Sequence, residues 1–197
     1  KRTPPKRIWN LLDKDPVLLE LPQPTLGGML DRVLTEFLGQ GFLLAGSFSN
    51  TLYSGRKAGS WHQDYPYPIL SKIEPDAPYR DKTLELTTIL ALDDFTVEAG
   101  ATWIVPRSQN LKPPHPDTFL ERAEQVICPA GSLILMNGAC IHRSGANNKQ
   151  PSTDPTLGQR RAILTMYLKA SVRPNIDPWI SLPASIQASC GKRARQL

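Results

Sequence analysis

After Gly41, every apolar stretch of this chain has the length of a β-strand. Segments 41–53, 84–92, 102–105, 125–128, 132–136 and 162–168 are apolar or Thr-rich, the composition that fits a pleated, half-buried surface. Turn chemistry separates them: Ser54-Gly55, Asp93-Asp94, Ala99-Gly100, Pro129-Ala-Gly131 and Asn137-Gly138. Before Gly41 the spacing predicts one amphipathic helix over 25–38. There Leu26, Leu30, Val33, Leu34, Phe37 and Leu38 recur at three- and four-residue steps, and Gly39 stops the run. Many short strands with a flanking helix predict a mainly β fold, either an antiparallel sandwich or a jelly-roll barrel.

A chain of 197 residues suits one domain. We divide it into an irregular lead-in over 1–24, a helix plus barrel core over 25–170, and a C-terminal extension over 171–197. Nineteen prolines predict many non-helical connections, while a hydrophobic content of 40% excludes wholesale disorder. Two segments, 72–82 and 147–159, read as surface insertions. No apolar run approaches the roughly 18–20 residues of a membrane-spanning helix, so no membrane partner is expected. The first residue is Lys1 rather than Met and no apolar signal core follows, so the chain reads as trimmed or partial. Three cysteines, Cys128, Cys140 and Cys190, cannot all pair within one chain and show no CxxC spacing. A reduced, cytoplasmic setting is the simplest reading. The net charge of +5 is concentrated at the ends, in residues 1–7 and 192–195. No nucleic-acid partner is expected from it.

The chemistry concentrates around two of the three histidines. In Gly59-Ser-Trp-His-Gln-Asp-Tyr-Pro-Tyr-Pro68, His62 and Asp64 stand two residues apart. On extended backbone such residues point to the same face, so imidazole and carboxylate converge. His142 follows the predicted strand 132–136, and if it folds back beside His62, three ligands occupy one face of a metal ion. That is the 2-His-1-carboxylate arrangement suited to non-haem Fe(II), with zinc as the competing metal. Alone, a His-x-Asp tripeptide is equally compatible with a hydrogen-bonded surface pair. Downstream of His142 comes Gln159-Arg-Arg-Ala-Ile-Leu-Thr-Met-Tyr167. An arginine opening that strand is well placed to clamp a dicarboxylate, because its planar fork binds a carboxylate bidentately. Trp61, Tyr65, Tyr67 and Trp103 cluster around these motifs and are candidates to line a substrate pocket or to pack as barrel core. His115 lies in a proline-rich loop with no partner motif.

Four ordered blocks give these residues a context: Trp61-His-Gln-Asp-Tyr65; Ala91-Leu-Asp-Asp94 through Ala99-Gly-Ala-Thr-Trp-Ile-Val-Pro106; Pro129-Ala-Gly-Ser-Leu-Ile-Leu135; and His142-Arg-Ser-Gly-Ala-Asn147 with Arg160-Arg-Ala-Ile163. Over about residues 42–170 the chain resembles the phytanoyl-CoA dioxygenase (PhyH-like) branch of the Fe(II)/2-oxoglutarate-dependent oxygenases. The resemblance implies a double-stranded β-helix, the cupin-like jelly roll, with flanking helices. It implies that His62, Asp64 and His142 bind Fe(II), that Arg160 binds the distal carboxylate of 2-oxoglutarate, and that Ser144 assists. Arg161 is the alternative clamp, since strand alternation turns only one of the two arginines inward. The activity implied is oxidation of an aliphatic C–H of a small-molecule substrate, foremost hydroxylation, with O2 consumed and succinate and CO2 released. Retention of Asp64 points away from the halogenases, in which loss of this carboxylate leaves room for chloride. An oxygenase acting on nucleic acid or protein would need a basic groove interleaved with aromatics. A non-catalytic cupin-like binding domain would have no use for an open metal site and a co-substrate clamp.

Overall fold

The computed structural model describes residues 6–65, 83–110, 121–150, 154, 157–174 and 178–189. The 72–82 insertion, Tyr67, His115 and Cys190 lie outside them, as do residues 151–153 and 155–156 of the 147–159 insertion. Eight strands and three helices are defined within the described residues. In chain order they are β1 (Lys6–Ile8), α1 (Met29–Leu38), β2 (Leu43–Leu52), β3 (Glu85–Ala91), β4 (Thr102–Ile104), β5 (Glu124–Gln125), β6 (Leu133–Asn137), β7 (His142–Ser144), β8 (Arg160–Leu168), α2 (Pro178–Ser181) and α3 (Ala184–Ser189). A five-stranded sheet runs β1-β2-β8-β3-β6, and a three-stranded sheet runs β5-β4-β7. Every pairing is antiparallel. The architecture is the mainly β jelly roll.

Four elements depart from expectation: α1, the lead-in strand β1, β5, which covers 124–125 where 125–128 is expected, and β7, which lies outside the expected strands. Helix α1 begins at Met29, four residues later than the apolar spacing indicates. Gly27 sits at φ +72°, the Gly28 amide donates to the Thr25 carbonyl, and the Gly27 amide donates to the Asp31 carboxylate. A capped turn therefore occupies 25–28, and Leu26 and Met29 stay exposed. The lead-in is not wholly irregular either. Lys6 to Ile8 pair with Thr51 to Ser49 on the edge of β2, and short 3-10 turns follow at Leu11–Asp13 and Pro16–Leu19. A three-residue, mostly basic strand carries no period to detect; its pairing comes from β2, over forty residues away in the chain.

The register of the central strands decides which side chains face inward. Along β8, Arg160, Ala162, Leu164 and Met166 share one face, matched by Leu52, Asn50 and Phe48 on β2 and by Ala91, Ile89 and Thr87 on β3. A β-bulge interrupts β2 between Leu44 and Gly46. On the outer face, Leu34, Leu38, Phe42, Leu44, Leu86 and Tyr167 bury α1 against the large sheet. The Tyr167 hydroxyl donates to the Pro22 carbonyl at 2.6 Å, tying the lead-in to that layer. Between the sheets lies a second cluster of Ile89, Ala91, Phe95, Ala101, Met136 and Ala162. Both layers have apolar interiors, as a sandwich requires.

Within the three-stranded sheet, the chain packs tightly where β4 begins and β7 ends. A Cβ on Gly100, at φ +75°, would lie 2.8 Å from the Gly145 carbonyl oxygen, so only glycine fits there. Two residues on, fully buried Asn147 gathers three segments. Its side-chain amide donates to the Leu52 and Gly158 carbonyls at 2.9 Å each, and its Oδ1 accepts from the Lys149 amide. Its backbone exchanges bonds with Arg56 and Gly55. Asn147→Ala would strand two buried carbonyls, and a loss of about 2–6 kcal/mol is expected at about 1–3 per unsatisfied group. The shift in denaturant midpoint measures it; a change under about 0.5 kcal/mol would deny Asn147 this role. Among the described residues, no helix is long and apolar enough to cross a membrane.

Candidate active site

His62, Asp64 and His142 come together at the edge of β7. His62 and His142 form an isolated antiparallel bridge, each backbone amide donating to the other's carbonyl at 3.0 and 2.9 Å. The Asp64 and Tyr65 amides then both donate to the Gly138 carbonyl, which turns the chain back and holds the carboxylate beside the two rings. Each imidazole Nδ1 faces a carbonyl, Ser60 O for His62 at 2.9 Å and Cys140 O for His142 at 3.0 Å. A carbonyl only accepts, so Nδ1 carries the proton and Nε2 presents its lone pair. These Nε2 atoms lie 3.7 Å from the two Asp64 carboxylate oxygens, one each. One ligand atom from each residue fits within 4.8 Å of the others.

Burial differs across the cluster. His142 is buried, whereas the His62 side chain is 42% exposed. Burial holds His142 below the ordinary imidazole range, against the opposing pull of Asp64. The neutral ring is the form with a free lone pair. The buried Thr87 hydroxyl lies 3.3 Å from Asp64 Oδ2, supporting the carboxylate from the large sheet.

A cavity of about 550 Å³ runs between the sheets with this cluster on its wall. Ser144, Thr102, Asn50 and Arg160 line it as well. Arg160 is only 2% exposed, and its guanidinium lies 4.2 Å from the centroid of the Phe95 ring. Burial lowers its pKa to about 10, so it stays cationic at neutral pH. Its Nε has no hydrogen-bond partner among the described residues. Arg161 faces the other way. It is exposed and makes a bidentate pair with Asp93 at 2.9 and 2.7 Å, which holds the Asp93 carboxyl below its usual range. Alternation along β8 thus turns Arg160 toward the cavity and Arg161 toward solvent.

The described aromatic residues singled out in the sequence, Trp61, Tyr65 and Trp103, are not on the cavity wall. Trp61 precedes an inward-facing histidine and so points away from it; the Arg143 guanidinium packs over its ring at 4.4 Å. Trp103 sits between Thr102 and Ile104 on β4, opposite Arg143, and alternation turns it outward. Tyr65 is likewise absent from the lining. The wall is built instead from Phe48, Ile89, Leu164 and Met166, with Trp9 and Arg7 at β1. Trp9 stacks on Phe48 with centroids 4.4 Å apart, and Arg7 lies over both rings. Glu85 and Thr87 also line the cavity. Alternation in Leu84-Glu-Leu-Thr87 puts Glu85 and Thr87 on one face, and pairing with β8 is what turns that face toward the cavity.

Comparison with known proteins follows the same lines. A model of the phytanoyl-CoA dioxygenase (PhyH) family matches residues 33–151. An uncharacterized protein of Mycobacterium tuberculosis is 33% identical over 187 residues, covering 91% of this chain and 60% of that protein. Dioxygenase trt7 of Aspergillus terreus is 28% identical over 130 residues, covering 66% of this chain and 44% of the fungal one. The chain therefore spans about half the length of these relatives. Among solved structures, the non-heme alpha-ketoglutarate-dependent carbocyclase SnoK from nogalamycin biosynthesis superposes with a TM-score of 0.63 at 19% identity, covering 89% of this chain and 69% of that one. The epimerase SnoN from the same biosynthesis gives 0.62 at 19% identity, covering 92% and 68%.

Proposed function

This chain belongs to the phytanoyl-CoA dioxygenase (PhyH) family, and from that premise we propose that it is an Fe(II)/2-oxoglutarate-dependent dioxygenase that oxidises, most simply hydroxylates, an aliphatic C–H of a small molecule. The observation that carries this reading is one cavity lined both by the His62–Asp64–His142 cluster and by a buried arginine whose Nε has no hydrogen-bond partner among the described residues. The donor set fits iron: two neutral imidazoles and a carboxylate on one side, with the other positions left to co-substrate and O2. Arg160 fits the distal carboxylate of 2-oxoglutarate, because a buried guanidinium with an idle Nε calls for a complementary anion. When bound, the metal would activate O2, and 2-oxoglutarate, in going to succinate and CO2, would supply two of the four electrons that reduce it, the C–H bond supplying the other two.

The chain's own residues supply position and dryness. Ser60 and Cys140 carbonyls lock the histidine tautomers, and Thr87 steadies Asp64. Arg160 and Ser144 orient the co-substrate. Phe48, Ile89 and Leu164 keep water from the reacting face. Retention of Asp64 supports hydroxylation-type chemistry over halogenation. Structural neighbours named for nogalamycin biosynthesis support a small-molecule substrate of secondary metabolism.

The test is anaerobic. Fe(II) and 2-oxoglutarate added together to the protein are expected to give the weak visible charge-transfer band of the chelate. Absence of the band in the wild-type protein sinks the assignment. Succinate release over a panel of small molecules then identifies the substrate class.

A further inference from the structure

One group on the cavity wall has no part in holding metal or co-substrate. Glu85 opens β3, is 3% exposed, and faces the cavity on the same side of the sheet as Thr87 and Ile89. Arg160 opens β8, whereas Glu85 pairs with Leu168, which closes it. The carboxyl and the guanidinium thus stand at opposite ends of one sheet face. Asp64 touches Thr87, two residues from Glu85, so the metal cluster lies within reach of the acidic end.

The Glu85 carboxyl is poorly satisfied by the protein. Its Oε1 is 3.2 Å from the Thr87 hydroxyl, and the same hydroxyl lies 3.3 Å from Asp64. One hydroxyl proton serves only one of these acceptors at a time. Among the described residues no basic side chain forms an ion pair with Glu85. Burial, and next the Asp64 charge, push its pKa up to about 8. The backbone nevertheless keeps room for it. A Cβ on Gly138 would come within 2.8 Å of Glu85 Oε1 and 2.9 Å of its Cβ. Gly138 also binds the Glu85 carbonyl through its amide and the Asp64 amide through its own carbonyl. A buried carboxyl is thereby fixed relative to the metal cluster, with hydrogen-bonding capacity left over beside the apolar Ile89, Leu164 and Met166 of the wall.

We infer that Glu85 is a substrate-anchoring residue that takes an O–H or N–H donor of a largely apolar small molecule, so that a neighbouring carbon is presented to the metal. The inference rests on the cavity being the substrate site, as proposed above. The donor is a hydroxyl or an ammonium, and the two are separable because glutamine keeps the hydrogen-bonding shape of glutamate without its charge.

Ligand-observed NMR on the metal-free protein tests this without turnover, so it remains informative whatever the charge-transfer experiment gives. The probes are cyclohexanol, cyclohexylamine and the donor-less methylcyclohexane, each titrated against wild type, Glu85→Gln and Glu85→Ala. Wild type is expected to bind at least one donor probe about tenfold or more tightly than methylcyclohexane, the scale of a buried hydrogen bond to a carboxyl. Glu85→Ala is expected to erase that preference. Retention by Glu85→Gln identifies a hydroxyl anchor, and its loss an ammonium anchor. Gly138→Ala, which crowds the carboxyl without removing it, is expected to weaken the same probe. Equal binding of all three probes by wild type, or a preference that survives Glu85→Ala, overturns the assignment. Thermal melts of each variant establish that it is folded when measured.

Discussion

Replacing His62 with alanine is expected to abolish metal binding at almost no cost in stability. Its ring is 42% exposed on the outer side of the cluster, and its Nδ1 is bonded to an exposed carbonyl. Little apolar surface and no core packing are lost with it. A surface change of this kind is worth within about 0.5 kcal/mol. A metal held from one side by three ligands, however, retains only two. Loss of an outer partner of a ligand already costs about 10–100-fold in affinity, and loss of the ligand itself is expected to exceed that. Mn(II) binding followed by calorimetry measures the affinity, and a thermal melt measures the fold. His142→Ala provides the contrast. That ring is 6% exposed and backs onto Cys140, so its removal is expected to lower both metal affinity and melting temperature. Wild-type Mn(II) affinity in His62→Ala would show that the cluster is not the metal site.

The second large effect separates two adjacent arginines. Arg160→Leu is expected to weaken 2-oxoglutarate binding by about 30-fold or more, since truncating one partner of a buried charge pair costs about 2–5 kcal/mol. Leucine preserves apolar volume against Phe95, so the fold is expected to persist. Arg161→Ala is expected to leave 2-oxoglutarate affinity unchanged. Its bidentate pair with Asp93 is exposed, and solvent limits its contribution to at most about 1 kcal/mol of stability. Titration of 2-oxoglutarate into each Fe(II)-loaded variant, read at the charge-transfer band, decides the matter. The reverse pattern would make Arg161 the clamp.

How far these features were legible in the sequence depends on how local their causes are. Strands β2, β3, β6 and β8 have apolar alternation and flanking turns, and each is found within a few residues of its expected place. The start of α1 is misjudged because Leu26 and Leu30 fit the helical period, while Gly27 and Asp31 favour a turn that periodicity does not register. Strands β1 and β7 are three-residue polar segments whose strand character comes from distant partners. The same division holds at the site. His62 and Asp64 are near in sequence, but the bridge that brings His142 to them depends on the whole sheet. The aromatic residues beside the motifs suggested a pocket by proximity alone. Alternation, applied residue by residue, turns Trp61 and Trp103 away and brings in Phe48, Asn50, Glu85 and Thr87 instead.

The bulge at Leu44–Gly46 gives β2 two parities. Before it, the even-numbered Leu44 packs on α1; after it, the even-numbered Phe48, Asn50 and Leu52 face the cavity. The extra residue is what allows one strand to serve the helix layer with its first turn of alternation and the catalytic interior with the rest. Shortening the strand by one residue there would force a choice, because a slip of one position inverts every side chain on the segment that moves. Relatives that gain or lose a residue at this point must therefore compensate elsewhere in β2. An alignment that slides a gap along the strand would exchange wall residues for surface ones, while leaving its apolar character almost unchanged.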